Sequence, residues 1–171
     1  MNRKSLLALS AFGGAAAGAA LLGARFNPAP ESEIGRWYRG LHKSPLNPPD
    51  AVFGPVWTTL YTLMTIAAYR VWRAPESESR DAALRLWFAQ LGLNTAWSPL
   101  FFGAKRPELS LADLLALLAA QAAFVTEARD VDRTAAWLFA PYIAWVTFAG
   151  YLNAEILRRN DFLADLRPAE H

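Results

Sequence analysis

The chain of 171 residues is 54% hydrophobic, 13% aromatic and 19% charged, whereas soluble domains run about 45–50% apolar and about 25% charged. With no Cys and a formal net charge of +2, disulfide staples, thiolate metal sites, cysteine nucleophiles and a nucleic-acid partner are excluded. A single membrane domain or a very apolar globular one remains.

Charge-free runs decide between these. Ser5–Ala24, Ala51–Tyr69, Leu86–Ala104 and Thr134–Ala154 carry no charged side chain, and Leu109–Thr126 carries only Asp113. A bilayer core about 30 Å thick takes roughly 17–25 helical residues to cross, and all five runs fit. A soluble bundle would place a polar stripe on every helix, which Leu114-Leu115-Ala116-Leu117-Leu118 lacks. The expected architecture is one all-α domain spanning 1–171, a bundle of five transmembrane helices at about 5–25, 51–72, 82–104, 108–127 and 133–157.

The first helix is almost all Ala, Gly and Leu. Arg3-Lys4 and the apolar stretch after them also describe a cleavable signal peptide, but the stretch is long for that and favours a retained helix. Gly14 and Gly18 form a GxxxG pair that lets two backbones approach closely, within the chain or across a homodimer. The long loop 26–50 holds Pro28, Pro30, Pro45, Pro48 and Pro49.

The second helix sets Phe53, Trp57, Tyr61, Met64 and Ala68 on one stripe. The third sets Gln90, Asn94 and Trp97 on one face at i, i+4 and i+7, and the cost of an unpaired amide in hydrocarbon points Gln90 and Asn94 inward. Tight turns make helices three, four and five antiparallel neighbours. Asp113 near the start of the fourth is either a proton-relaying carboxylate or a helix-start residue at the aqueous interface. In the fifth, Trp137, Pro141, Trp145 and Ala149 follow at i+4 steps, with a kink expected at Pro141.

Trp37, Trp72, Trp87 and Trp137 sit near span ends and fit interfacial anchors in membrane lipid. Trp57, Trp97 and Trp145 share faces with polar, proline or small residues and suit a flat, large, apolar ligand. Lys and Arg number eight on one side and nine on the other, so the positive-inside rule leaves orientation open. The imidazoles, His42 and His171, lie outside the spans, and neither a nucleotide loop, a catalytic triad nor paired carboxylates occur. No metal, cofactor or ordinary enzyme chemistry is expected.

These motifs, from Trp37-Tyr38 through Leu41-His42-Lys43-Ser44-Pro45, Pro48-Pro49 and Val52-Phe53-Gly54-Pro55-Val56-Trp57-Thr58-Thr59-Leu60-Tyr61, resemble the TspO/translocator protein family. The family is also called tryptophan-rich sensory proteins or peripheral-type benzodiazepine receptors. The similarity continues through Gln90-Leu91-Gly92-Leu93-Asn94-Thr95-Ala96-Trp97-Ser98-Pro99, Pro141-Tyr142-Ile143-Ala144-Trp145 and Leu152-Asn153. The resemblance implies five transmembrane helices, a homodimer, and a pocket under the first loop that binds porphyrins such as protoporphyrin IX. It implies pocket residues Trp57, Tyr61, Asn94, Trp97, Trp145, Ala149 and Leu152, beside Phe53, with Trp37 and Pro48 in the covering loop. Arg36, Arg39 and Lys43 are the candidates to meet porphyrin propionates.

The resemblance implies one alternative to porphyrin transport or sensing, light-dependent oxidative degradation of protoporphyrin at Trp57 and Trp145; the Gly14 and Gly18 face offers another, a dimeric scaffold or regulator. Leu46 and Leu109 replace aromatic residues common in the family. The cholesterol motif of animal members is broken at Ala154, and six residues separate Tyr151 from Arg158, one more than the pattern permits. Cholesterol is therefore not the expected ligand, and the chain reads more like a bacterial member.

Overall fold

A computed structural model describes residues 2–160 and Phe162, and the described residues form helices without a strand. The helices are α1 (Arg3–Ala24), α2 (Glu33–Gly40), α3 (Asp50–Arg73), α4 (Glu78–Ser98), α5 (Pro107–Val131), α6 (Arg133–Leu138) and α7 (Ala140–Arg159). His171 lies outside the described residues.

Local chemistry sets the helix starts. The side chains of Asn2, Ser32, Ser77 and Asp132 accept from backbone N–H groups of the first turns of α1, α2, α4 and α6, satisfying donors that have no partner within the helix. Asp50 begins α3, and Arg70 and Arg73 end it, each charge opposing the helix dipole at its end. A π-helical turn, Pro99–Gly103, continues α4 and closes with Ala104 N donating to Pro99 O at 2.7 Å. Lys105 then takes a left-handed φ of 55°, and Pro107 starts α5, where the missing N–H costs nothing.

Four segments are long and apolar enough to cross a membrane: Arg3–Ala24, Asp50–Arg73, Pro107–Val131 and Arg133–Arg159. α4 differs from these because its first two turns hold Glu78, Arg80, Asp81 and Arg85. The Arg80 guanidinium donates to the Trp72 carbonyl at 3.0 and 3.2 Å, so this polar end of α4 folds back onto the end of α3.

α5 is the central helix, packed on both α4 and α7, while α1 lies against α3 and α4, and α3 against α6. The core runs through Phe12, Met64, Trp87, Leu117, Phe124, Phe139 and Tyr142. Trp87 corrects the anchor assignment. It is 0% exposed, donates Nε1–H to the Met64 carbonyl at 3.0 Å and meets Phe12 edge-on at 5.2 Å. Its charged neighbour Arg85 marks the sequence end of an apolar run, yet α4 continues two turns further and keeps the indole inside. Trp137, at 74% exposed, faces outward.

Two further expectations change. The long loop contains α2, whose eight residues are too short and too closely flanked by prolines to show a periodic signal. The last span divides at Phe139, and Pro141 lies in the first turn of α7, so it opens a helix instead of kinking one. Asp132 joins this corner to α3 through a 2.9 Å ion pair with Arg70. Its carboxyl stays below the ordinary value: partial burial raises it, but hydrogen bonds from the Ala135 N–H and the Arg70 guanidinium, and the Arg70 charge, outweigh that.

On α1, an added Cβ at Gly13 would meet Thr65 at 3.8 Å and one at Gly23 would meet Ser98 at 3.4 Å. At Gly14 and Gly18 nothing lies within 4 Å. The GxxxG pair therefore makes no close helix contact within the chain, and the packed face is the one carrying Phe12, Ala16 and Ala19.

Candidate ligand-binding site

The helices enclose a cavity of about 1150 Å³. Phe53, Trp57 and Tyr61 of α3, Asn94 and Trp97 of α4, and Trp145, Ala149 and Leu152 of α7 line it. Eight of the ten expected site residues are thus brought together. Trp37 and Pro48 are not on its wall: Trp37 sits behind Phe101, ring centroids 5.6 Å apart, and Phe101 provides the surface instead.

Helical spacing produces the aromatic wall. Trp57 and Tyr61 stand one turn apart with centroids at 5.5 Å, and Phe53, one turn earlier, meets Trp145 edge-on at 5.7 Å. Trp97 stacks on Phe101 at 4.9 Å and 14°, a contact made possible by the π turn, which swings Phe101 back beneath the end of α4. Aromatic pairs of this kind add about 0.5–1.5 kcal/mol beyond area burial.

Polar groups occupy two levels. The deeper contact is Tyr61 Oη donating to Asn94 Oδ1 at 2.7 Å. Nearer the loop, Trp97 Nε1–H points to Asn153 Oδ1 at 3.4 Å, which also accepts from Ser110 Oγ at 2.8 Å. Asn153 Nδ2 donates to the Pro107 carbonyl at 2.7 Å, so one buried amide joins α4, α5 and α7. Asn153 was legible only as part of Leu152-Asn153. Leu114 and Leu117, and the small-residue wall from Gly13, Ala16, Ala17 and Ala20 of α1, carried no sequence signal distinct from lipid-facing helix.

Five buried side-chain atoms among the described residues have no protein hydrogen-bond partner: Gln90 Oε1, Asp113 Oδ2, Gln121 Oε1 and Nε2, and Tyr142 Oη. An unpaired buried polar group costs about 1–3 kcal/mol. Gln90 points inward but does not reach the cavity, unlike Asn94 on the same face. Asp113 lies in the second turn of α5 with its Oδ2 buried.

The loop covers the mouth. α2 is fixed by an ion pair of 2.5 Å between Glu33 and Lys105. The hydrogen bond from Lys105, then its charge, holds the Glu33 carboxyl below its ordinary value. The expected propionate partners are engaged elsewhere: Arg36 donates to Glu31 O at 2.8 Å, Arg39 to Pro30 O at 2.5 Å, and Lys43 to Tyr38 O at 2.6 Å. None of the three lines the cavity, whose sole charged lining residue among those described is Asp50. Lys43 is close enough to feel that carboxylate. Burial pushes its ammonium below the ordinary lysine value, Asp50 opposes this, and Arg39 reinforces it. At the far end of the loop, His42 N donates to Asn160 Oδ1 at 2.8 Å and Asn160 Nδ2 returns a bond to His42 O at 2.9 Å.

Several apolar helices of membrane-crossing length around a loop-covered aromatic cavity define a multi-pass integral membrane protein with an internal chamber. The chain belongs to the TspO/MBR family, whose sequence profile matches residues 11–159. It is 42% identical over 127 residues to the translocator protein of Homo sapiens, covering 73% of this chain and 75% of that one. It is 42% identical to the tryptophan-rich sensory protein of Cereibacter sphaeroides over 72% of this chain and 77% of the relative. With the tryptophan-rich protein TspO of Chlorobaculum tepidum, identity is 35% over 92% of this chain and 98% of the relative.

Proposed function

We propose that the chain binds a tetrapyrrole such as protoporphyrin IX in the aromatic cavity, as a membrane transporter or sensor of such ligands. The observation that carries this is the convergence of Trp57, Trp97 and Trp145 on one cavity of about 1150 Å³. Pockets for drug-sized ligands span about 300–1000 Å³, so this one suits a larger, flat, apolar body with polar groups kept at the mouth. There a ligand carboxylate meets Asp50, and Lys43 beside it offsets the repulsion. α4 with its π turn serves as a fifth crossing, its polar end at the membrane surface. The free Gly14 and Gly18 face of α1 supports a homodimer, testable by the mass of Gly18→Leu in detergent, which should fall to that of a monomer.

The direct test is titration of detergent-solubilised protein with protoporphyrin IX, followed by tryptophan fluorescence. Saturable quenching should weaken at least tenfold, about 1.4 kcal/mol, in Trp57→Ala and Trp145→Ala and stay unchanged in Trp137→Ala. Equal affinity in all three variants refutes the placement. The presence of both Trp57 and Trp145 on the wall also favours a second reading, light-dependent oxidative breakdown of the bound porphyrin. Under illumination that reading requires a product that disappears in the Trp57→Phe, Trp145→Phe double variant.

A further inference from the structure

The chamber wall does not stop at the aromatic face of α3. Thr62 stands two residues from Leu60 and two from Met64, which are 3% and 0% exposed in the core. At 3.6 residues per turn, a step of two points about 160° away, so Thr62 faces nearly opposite to the core. Ile66 is placed in the same way between Met64 and Ala68, and it is exposed. Yet Thr62 and Ile66 both line the chamber. A space bounded by Trp57 and Tyr61 inside the bundle and by the outward side of the same helix passes round that helix to its surface.

The passage lies on the α1 side. Ala17 and Ala24 of α1 are exposed and also line the chamber, whereas Val56 and Leu63, on the other flank of α3, do not line it. α1 and α3 run antiparallel and meet where a Cβ at Gly13 would lie 3.8 Å from Thr65. Eleven residues along each helix toward the loop, about 16 Å, Ala24 comes level with Gly54, where an added Cβ meets nothing within 4 Å. The seam is pinched at Gly13 and open toward the loop. It falls within the membrane-crossing lengths Arg3–Ala24 and Asp50–Arg73, so it faces hydrocarbon and not water. Its chemistry suits that place. Thr58 Oγ1 donates to Gly54 O at 2.9 Å and Thr62 Oγ1 to Thr58 O at 2.8 Å, so neither hydroxyl proton is left unpaired in lipid. We propose that the seam between α1 and α3 is a lateral door, through which an apolar molecule dissolved in the bilayer reaches the chamber without crossing the loop. Ala17 and Thr62, at about the same level in that register, set its width. The door rests on the reading of the chamber as a ligand site, and adds to it the phase from which the ligand comes.

The chain contains no Cys, so Ala149→Cys places a single thiol on the chamber wall, on α7. In lipid nanodiscs without ligand, this full-length variant is treated with N-pyrenylmaleimide, which dissolves in the bilayer, or with a sulfonated maleimide, which stays in water. Adding Ala17→Phe and Thr62→Phe should slow the first reaction by about tenfold, or about 1.4 kcal/mol of barrier, and leave the second unchanged. Thr62→Phe alone should slow it in the same sense, and Leu63→Phe, on the far flank of α3, should not. A pyrenylmaleimide rate that the two phenylalanines leave unchanged overturns the door. So does an equal slowing of both reagents, which marks a collapsed chamber. Protoporphyrin IX delivered from lipid should likewise associate and dissociate more slowly in the Ala17→Phe, Thr62→Phe variant at unchanged affinity. Failure of protoporphyrin IX to bind at all refutes the ligand reading alone, because the maleimide rates need no ligand.

Discussion

Tyr61 and Asn94 are joined by a 2.7 Å hydrogen bond from phenol to carboxamide, the one side-chain bond between α3 and α4 at the cavity surface among the described residues. Both residue types carry polar atoms into hydrocarbon, and each removes the other's penalty. Tyr61→Phe should cost about 1–3 kcal/mol, because it leaves the buried Asn94 Oδ1 without its donor, read as a lower unfolding midpoint in detergent. Asn94→Ala should cost more, because it leaves the Tyr61 hydroxyl without its acceptor and also opens a void where the buried carboxamide packed. Equal or reversed costs would mean the pair is not the floor contact described.

Charge at the mouth should act in opposite directions at two neighbouring positions. Asp50→Asn is expected to tighten protoporphyrin IX binding and Lys43→Met to weaken it, each by up to about fivefold, the upper range for exposed ion pairs at about 1 kcal/mol. Both effects should shrink as salt is raised. Fluorescence titrations at two ionic strengths measure this, and changes of the same sign at both residues would contradict it.

The pairing of Glu33 with Lys105 gives the loop a pH dependence. Glu33 has a folded-state carboxyl held below its ordinary value of 4.5. Its contribution to a closed loop is therefore fully present above about that pH and is lost as pH falls through the lower folded-state value. Protease cleavage within 26–50 should accelerate on acidification in the wild type, whereas Glu33→Gln should start high and show no acid limb. An acid limb that persists in Glu33→Gln assigns the transition to another group.

Gly35 and Gly40 should respond differently to alanine, although both lie in α2. A Cβ at Gly35 would stand 2.0 Å from the Ala29 carbonyl oxygen, whereas nothing lies within 4 Å at Gly40. Replacing glycine by alanine within a helix interior ordinarily gains up to about 1 kcal/mol, and Gly40→Ala, at the last residue of α2, should gain a part of it. At Gly35 the backbone collision outweighs this gain, so Gly35→Ala should displace α2 and expose Trp37 to an aqueous quencher. Identical quenching in the two variants would argue against the close packing of α2 on residues 28–29.

Much of the cavity was legible because hydrocarbon penalises polarity so heavily. Gln90 and Asn94 had to face inward, and helical spacing set Trp97 on the face of Asn94 and Trp57 on the stripe of Tyr61, while Trp145 was marked by the proline and small residues on its own face. Trp87 was misread because a charge two residues away looks like a membrane surface, whereas Arg85 lies within a helix whose opening turns are polar. α2 escaped because eight residues between prolines have too few turns to show a period. The fates of Arg36, Arg39 and Lys43 were hidden for another reason: their partners are backbone carbonyls, which every residue offers and no sequence pattern marks.

The two ends of the loop are held by bonds of unlike character. The Asn160 carboxamide and the His42 peptide exchange neutral hydrogen bonds in both directions, an attachment that neither salt nor moderate pH change weakens. Glu33 and Lys105 form a charged contact that both conditions weaken. The Glu33 contact is therefore the attachment that acid and salt loosen, and the His42 contact the one that they leave in place. Acid or high salt should free α2 from the Lys105 turn between α4 and α5 first, while His42 stays bound to Asn160 at the end of α7.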